Sequence, residues 1–178
     1  MRNIFILTLA FSIISCAGLD RNENRLEMID AKRIVVKMLD LYPDYKGSEI
    51  EREVIEVSIS SKKNFLEESR RRGMTIFADT GICSSFEHIP TLASPAIFLH
   101  GKSSEYLWPE LMTPEAWQDI LTPDANGVFM YKIYLRYEKL ETFSQEERSN
   151  ICTEFGGNTY LFGYKSNRVR LNLSHIKF

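Results

Sequence analysis

Three cysteines and three histidines are the side chains of this 178-residue sequence best suited to chemistry. Cys83 stands at the centre of Gly81-Ile82-Cys83-Ser84-Ser85. A nucleophile on a sharp, Gly-flanked turn takes that position, although here the second Gly is missing and Cys replaces Ser. A thiolate nucleophile also needs a base and a lowered pKa, and His88 is the one histidine near in sequence. His88, His100 and His175 lack the spacing of a zinc site, neither two His three to five residues apart nor H-E-x-x-H. Gly156-Gly157 follows a helical pattern instead of opening one, the wrong polarity for phosphate at a helix N-terminus. The residues therefore assign no catalytic group, no metal and no cofactor.

The N-terminus carries a more specific message. Met1-Arg2-Asn3 is followed by an uncharged run from Ile4 to Ile14, which stops at Ser15, Cys16, Ala17 and Gly18. That is the three-part plan of a secretory signal, and the run is shorter than the ~20 residues a spanning helix needs. Ile13-Ile14-Ser15-Cys16 resembles the lipobox of bacterial lipoproteins, with Ile13 where Leu is commoner. The resemblance implies a signal peptide over residues 1–15, a diacylated Cys16 as the new N-terminus, and a polar tether over residues 16–25. Ala17, rather than Asp, after the cysteine implies the outer membrane, facing the periplasm. Cleavage after Ala17 or Gly18 is the alternative, and would discard Cys16.

Either route leaves Cys83 and Cys152 as a natural disulfide pair in an oxidising compartment. The competing reading keeps Cys83 as a free nucleophile. Twenty-two basic and 24 acidic residues leave a net charge of −2, which provides no field for nucleic acid. Arg70-Arg71-Arg72 lies one helical turn after Glu67 and Glu68, as on a solvated helix face.

These side chains must be held by elements whose periods can be read. Ile29, Ile34, Met38 and Leu41 recur at near-helical spacing, predicting a helix over residues 26–41. Ile55, Val57 and Ile59 alternate with Glu56, Ser58 and Ser60, the period of a half-buried strand. Residues 61–72 read as a helix with a serine cap, ended by Gly73. Strands are expected over residues 74–79, 96–100 and 128–140. A helix with Thr113 as cap and Pro114 at its first position is expected over residues 113–121. Asp124 to Gly127 reads as a turn. Ser144-Gln145-Glu146-Glu147 is a capping box, opening a helix that carries Cys152 to its end at Gly156-Gly157. A hairpin of residues 159–165 and 169–176 closes the chain.

The expectation is one α+β domain over residues 26–178, a mostly antiparallel sheet of 5–6 strands against 3–4 helices. Its predicted role is that of a non-catalytic, lipid-anchored envelope protein binding a protein or other envelope partner, in concrete form a periplasmic immunity protein. Tyr106, Trp108 and Trp117, aromatic residues in a long connection, are its candidate partner anchors, although such residues more often form a satellite core that pins the loop down. Two rivals stand beside it: a hydrolase of envelope polymers or lipids using His88, His100 and Asp79, and a carrier of lipid or another small hydrophobe.

Overall fold

A computed structural model describes residues 25–38, 50–85, 89, 92–94, 96–103, 118, 121–158 and 163–178. In chain order the elements are β1 (Glu27–Lys37), β2 (Glu51–Ser61), α1 (Phe65–Arg72), β3 (Thr75–Ile82), β4 (Phe98–Leu99), β5 (Lys102–Ser103), β6 (Phe129–Arg136), α2 (Tyr137–Leu140), α3 (Gln145–Ser149), β7 (Ile151–Asn158), β8 (Gly163–Lys165) and β9 (Val169–Arg170). The first sheet has the order β1-β2-β6-β4-β5, and the second β3-β7-β8 with β9 also on β7. Every pairing is antiparallel.

The fold is therefore mostly β, two sheets with short helices, and the expected α+β layer of 3–4 helices is wrong. Of the residues read as a first helix, 27–37 form β1, paired with β2 from Glu27↔Ser60 to Lys37↔Glu51, while 39–41 lie outside the described residues. The run Ile34-Val35-Val36 explains the reversal: β-branched side chains lose rotamer freedom in a helix and pack well on a pleated surface. The helix opened by the capping box is also shorter than expected. Ser144 and Glu147 exchange both capping bonds, but the helix stops at Ser149, and Cys152 lies on a strand.

Gly156-Gly157 is thus not a helix cap. Gly156 sits opposite Phe77 in the β3–β7 ladder, and a Cβ there would stand 3.1 Å from the Phe77 ring. Among the described residues the predicted C-terminal hairpin is absent as well: β8 and β9 both pair with β7 instead of with each other, and residues 159–162 of its first arm lie outside the described residues. Strand β6 ends at Arg136 and passes into α2, shorter than the expected strand to residue 140. The cap of α1 is Asn64, whose Oδ1 accepts from the Glu67 amide at 3.0 Å, instead of a serine. Gly73, at φ 59°, ends that helix as expected, since the left-handed region costs glycine nothing.

Ile55, Val57 and Ile59 of β2 are fully buried as expected, but Glu56 and Ser60 on the other face are buried too, so the strand is covered on both faces instead of half-buried. The three apolar residues face inward with Tyr131, Ile133 and Leu135 of β6, and meet Ile76, Ala78, Ile151 and Phe155 of the second sheet in one core. Phe65 of α1 plugs the space between the sheets. Its ring makes edge contacts with Tyr131 (centroids 5.7 Å) and Phe155 (5.3 Å), and those two meet at 5.4 Å. The Tyr131 hydroxyl donates to the Lys63 carbonyl at 2.7 Å and accepts from the Phe65 amide at 2.8 Å. Burial pushes the Tyr131 pKa far above the phenol range, against a smaller lowering by the Phe65 amide, so the hydroxyl stays neutral.

Tyr131→Phe keeps the ring and strands both bonds. Removing one partner of a buried amide costs about 1–3 kcal/mol, and urea unfolding of the variant is expected to show a loss of that size with an unchanged m-value.

Candidate functional site

The second sheet presents the disulfide. Cys83 follows the end of β3 and Cys152 is the second residue of β7. Their sulfurs are bonded at 2.04 Å, with Cα atoms 5.0 Å apart. The Cys83 amide donates to the Asn150 carbonyl at 2.7 Å, holding the approach. A bonded Cys83 cannot serve as a thiolate, so the nucleophile reading falls.

Asp79 lies on β3 opposite Glu154 in the ladder, whereas His100 forms the tight turn between β4 and β5 at φ 50°. These two members of the supposed acid–base set belong to different sheets. The cleft beside His100, about 340 Å³, is lined by Thr122, Pro123, Asp124, Val128 and Met130, and Asp124 there accepts from the Asn126 and Val128 amides. His175 spends Nε2 on the Ala31 carbonyl at 2.6 Å. Cys16, His88, Tyr106, Trp108 and Trp117 lie outside the described residues. Of the expected helix over residues 113–121, the described members Gln118 and Leu121 are helical. Among the described residues no three His, Cys, Asp or Glu side chains stand together as a metal site.

The ionic groups that the fold does assemble were not singled out by sequence. On the outer face of the first sheet Glu56 is only 5% exposed. It pairs with Lys32 of β1 at 3.2 Å and Lys132 of β6 at 3.0 Å, and accepts from the Tyr134 hydroxyl at 3.3 Å. Burial is the largest single influence on its carboxyl and pushes the pKa up. The hydrogen bonds and charges of Lys132 and Lys32 together outweigh it and hold the group below the ordinary carboxylate range. Glu154, 4% exposed, is clasped likewise on the second sheet by Lys165 and by Arg168 at 3.5 Å.

A third group borders an open, polar cleft of about 540 Å³ between β1, β2 and α2. Arg33 binds Glu53 along one edge of its guanidinium, Nη2 donating to the two carboxylate oxygens at 2.8 and 2.7 Å and Nε to one of them at 3.2 Å. It also covers the Tyr137 ring at 3.9 Å. Tyr137 stacks on Phe178 at 5.4 Å, and Arg148 closes the far side of Phe178 at 4.4 Å. The hydrogen bond to Glu53 is the chief influence holding the Arg33 pKa above its ordinary value, with Glu53, Tyr137 and Glu141 adding to it against burial. Glu51, Glu138 and Glu141 also line the cleft, with Arg52 paired to Glu138 at 3.6 Å. Such a surface can recognise charge and shape.

The alternation of β2 did place Glu56 on the polar face of a strand. Its partner Lys32, and Arg33 beside it, could not be placed while β1 read as a helix. The class defined so far is an antiparallel two-sheet domain with one inter-strand disulfide and carboxylates clasped by cations. Comparison with family models, curated proteins and solved structures finds no match to this chain.

Two outcomes follow. Reducing the disulfide opens a closure spanning 69 residues, expected on chain entropy to cost about 4 kcal/mol; the Cys83→Ser/Cys152→Ser protein should lose stability of that order in urea. Glu56 titrates lower in the folded chain than in the unfolded one, so its contribution is present above the unfolded value and lost as pH falls through the folded value. Relative to Glu56→Gln, the native protein should lose stability as the solution is acidified below about pH 4.5; parallel unfolding slopes would refute the assignment.

Proposed function

We propose that this chain is a non-catalytic, lipid-anchored domain of a bacterial cell envelope that binds a protein or another envelope component. A periplasmic immunity protein, neutralising a toxic effector, is the concrete form of that role. Cys16 carries the lipid, the outer membrane holds it, and the domain faces the periplasm. The observation that carries the reading is the Cys83–Cys152 bond. Such bonds persist in oxidising, exported compartments, and this one consumes the two cysteines of the folded domain. Cys16, in its lipobox-like context, is the cysteine left for acylation.

The start of the domain suits a tethered arrangement. Asn167 brackets Leu26 from both sides, its Oδ1 accepting from the Leu26 amide at 2.5 Å and its Nδ2 donating to the Leu26 carbonyl at 3.1 Å. Pull on a tether ending at residue 25 would therefore meet a fastened strand. The hydrolase reading has no such support, since His100 and Asp79 stand in different sheets.

Intact mass of the protein from the membrane fraction, with thiol labelling before and after reduction, tests the reading. An acylated chain beginning at Cys16, with two thiols labelled only after reduction, is expected. A full-length, unacylated chain with freely reactive thiols would overturn it.

A further inference from the structure

The strand ladder fixes where the chain enters the domain. Glu27 stands opposite Ser60, so β1 starts where β2 ends. From Ser61 the chain runs through Lys62 and Lys63 into α1, which carries it to the start of β3 in the second sheet. Arg25 and the α1 corner therefore share one end of the molecule. Charge at this corner is unbalanced. Arg25 is matched by Glu27 at 3.3 Å. Arg71, at 3.0 Å, and Arg72 both pair with Glu68, so two exposed guanidiniums share one carboxylate. Lys62 is exposed, and the Lys63 ammonium stands 5.7 Å over the Phe65 ring. Glu67, in the first turn of α1, offsets one of these surplus cations. The far end of the sheets has the opposite sign: in and just after α2 and in α3, Glu138, Glu141, Glu146 and Glu147 outnumber Lys139 and Arg148.

We propose that the corner of Arg25, Lys62, Arg71 and Arg72 is a membrane-contact face, set on anionic phospholipid headgroups with α2 and α3 turned away from the surface. The inference rests on the lipid at Cys16 proposed above. Cys16 lies nine residues before Arg25, at most roughly 32 Å of extended chain, so the bilayer is the polyanion always within reach of this corner. The acyl chain supplies attachment, and the charges have only to choose an orientation. Basic side chains are drawn to an anionic surface by a potential that fades over about 8–10 Å. Ser61 and Val54, at the two ends of the β2–β6 ladder, are seven residues apart, roughly 23 Å. Only one end of the domain therefore feels the surface at a time. The corner with surplus cations is attracted, and the acidic helices are repelled. The cleft beside Tyr137, Glu138 and Glu141 lies at the helices' end and stays open to a partner.

The full chain is added from detergent to vesicles of phosphatidylcholine, alone or with phosphatidylglycerol, and lysine acetylation is followed by peptide mass. Lys62 should react severalfold more slowly on the anionic vesicles than on the neutral ones, and should regain its rate in high salt. Lys139, exposed on α2, should react alike on both. Arg71→Gln/Arg72→Gln should remove the protection of Lys62, and its thermal midpoint and Cys83–Cys152 bond report whether it still folds. Lys62→Gln, which leaves the Glu68 pairs intact, is read through Lys63 and should show the same loss. Intact mass reports the anchor separately. An unacylated chain overturns the lipid at Cys16, and the corner is then read by flotation with the same anionic vesicles. There Lys62→Gln should weaken binding about fivefold, the worth of one basic side chain at such a surface. Equal reactivity of Lys62 on both kinds of vesicle overturns the membrane-contact face. So does protection of Lys139 to the same extent, or flotation indifferent to Lys62→Gln.

Discussion

The two sheets meet through a tyrosine whose hydroxyl has no water to turn to. Tyr131 comes from β6, Phe155 from β7 and Phe65 from α1, and the three rings pack edge to face. Burying a ring of this size stabilises the core, but burying its hydroxyl costs free energy unless both its donor and its acceptor capacity find partners. The Lys63 carbonyl and the Phe65 amide provide them. Those groups lie where β2 ends and α1 begins, so satisfying the hydroxyl also fixes how the chain leaves the first sheet and enters β3 of the second.

Outside this core the same rule acts on charges. Glu56 and Glu154 are nearly buried carboxylates, each clasped by cations: Lys32 and Lys132 from the two strands beside β2, and Lys165 of β8 with Arg168 just before β9. Desolvation consumes much of the attraction in such pairs, so their net stabilisation is small, while removing one partner is costly. Their effect is felt in register. A one-residue slip of β1 would carry Lys32 to the opposite face and leave Glu56 short of a cation. The Arg33–Tyr137–Phe178–Arg148 stack acts at another margin, laying Phe178 between α2 and the loop that Arg148 caps through the Phe143 and Leu140 carbonyls.

Much of the second half of β2, the stop at Gly73, the Asp124 turn and the capping box were legible because each rests on neighbours within a few residues. The errors share a different origin. In β1, Ile29, Ile34 and Met38 match a helical period only when the intervening Val35 and Val36 are disregarded, and nothing local reveals that β2 will bond the strand along its length. After α3, Ile151-Cys152-Thr153 follow a sound helix start, and only the ladder to β3 turns them into a strand. Gly156-Gly157 had the look of a helix end, although its purpose is to let the Phe77 ring lie across β7.

Cysteine arithmetic and the apolar, breaker-ended start are properties of composition and order along the chain. They were enough to name Cys83 and Cys152 as a pair, because an oxidising route leaves few other uses for two cysteines. The proposal of a lipid at Cys16 comes from the same kind of reasoning. Tertiary structure decided what depends on distance across the chain: that β1 is a strand, that Glu56 finds Lys32 and Lys132, that Arg33 finds Glu53 and Tyr137, and that His100 and Asp79 belong to separate sheets. Local pattern records which residues avoid water, whereas pairing between strands is a choice among distant segments, settled by which partners satisfy one another's backbone and buried charge.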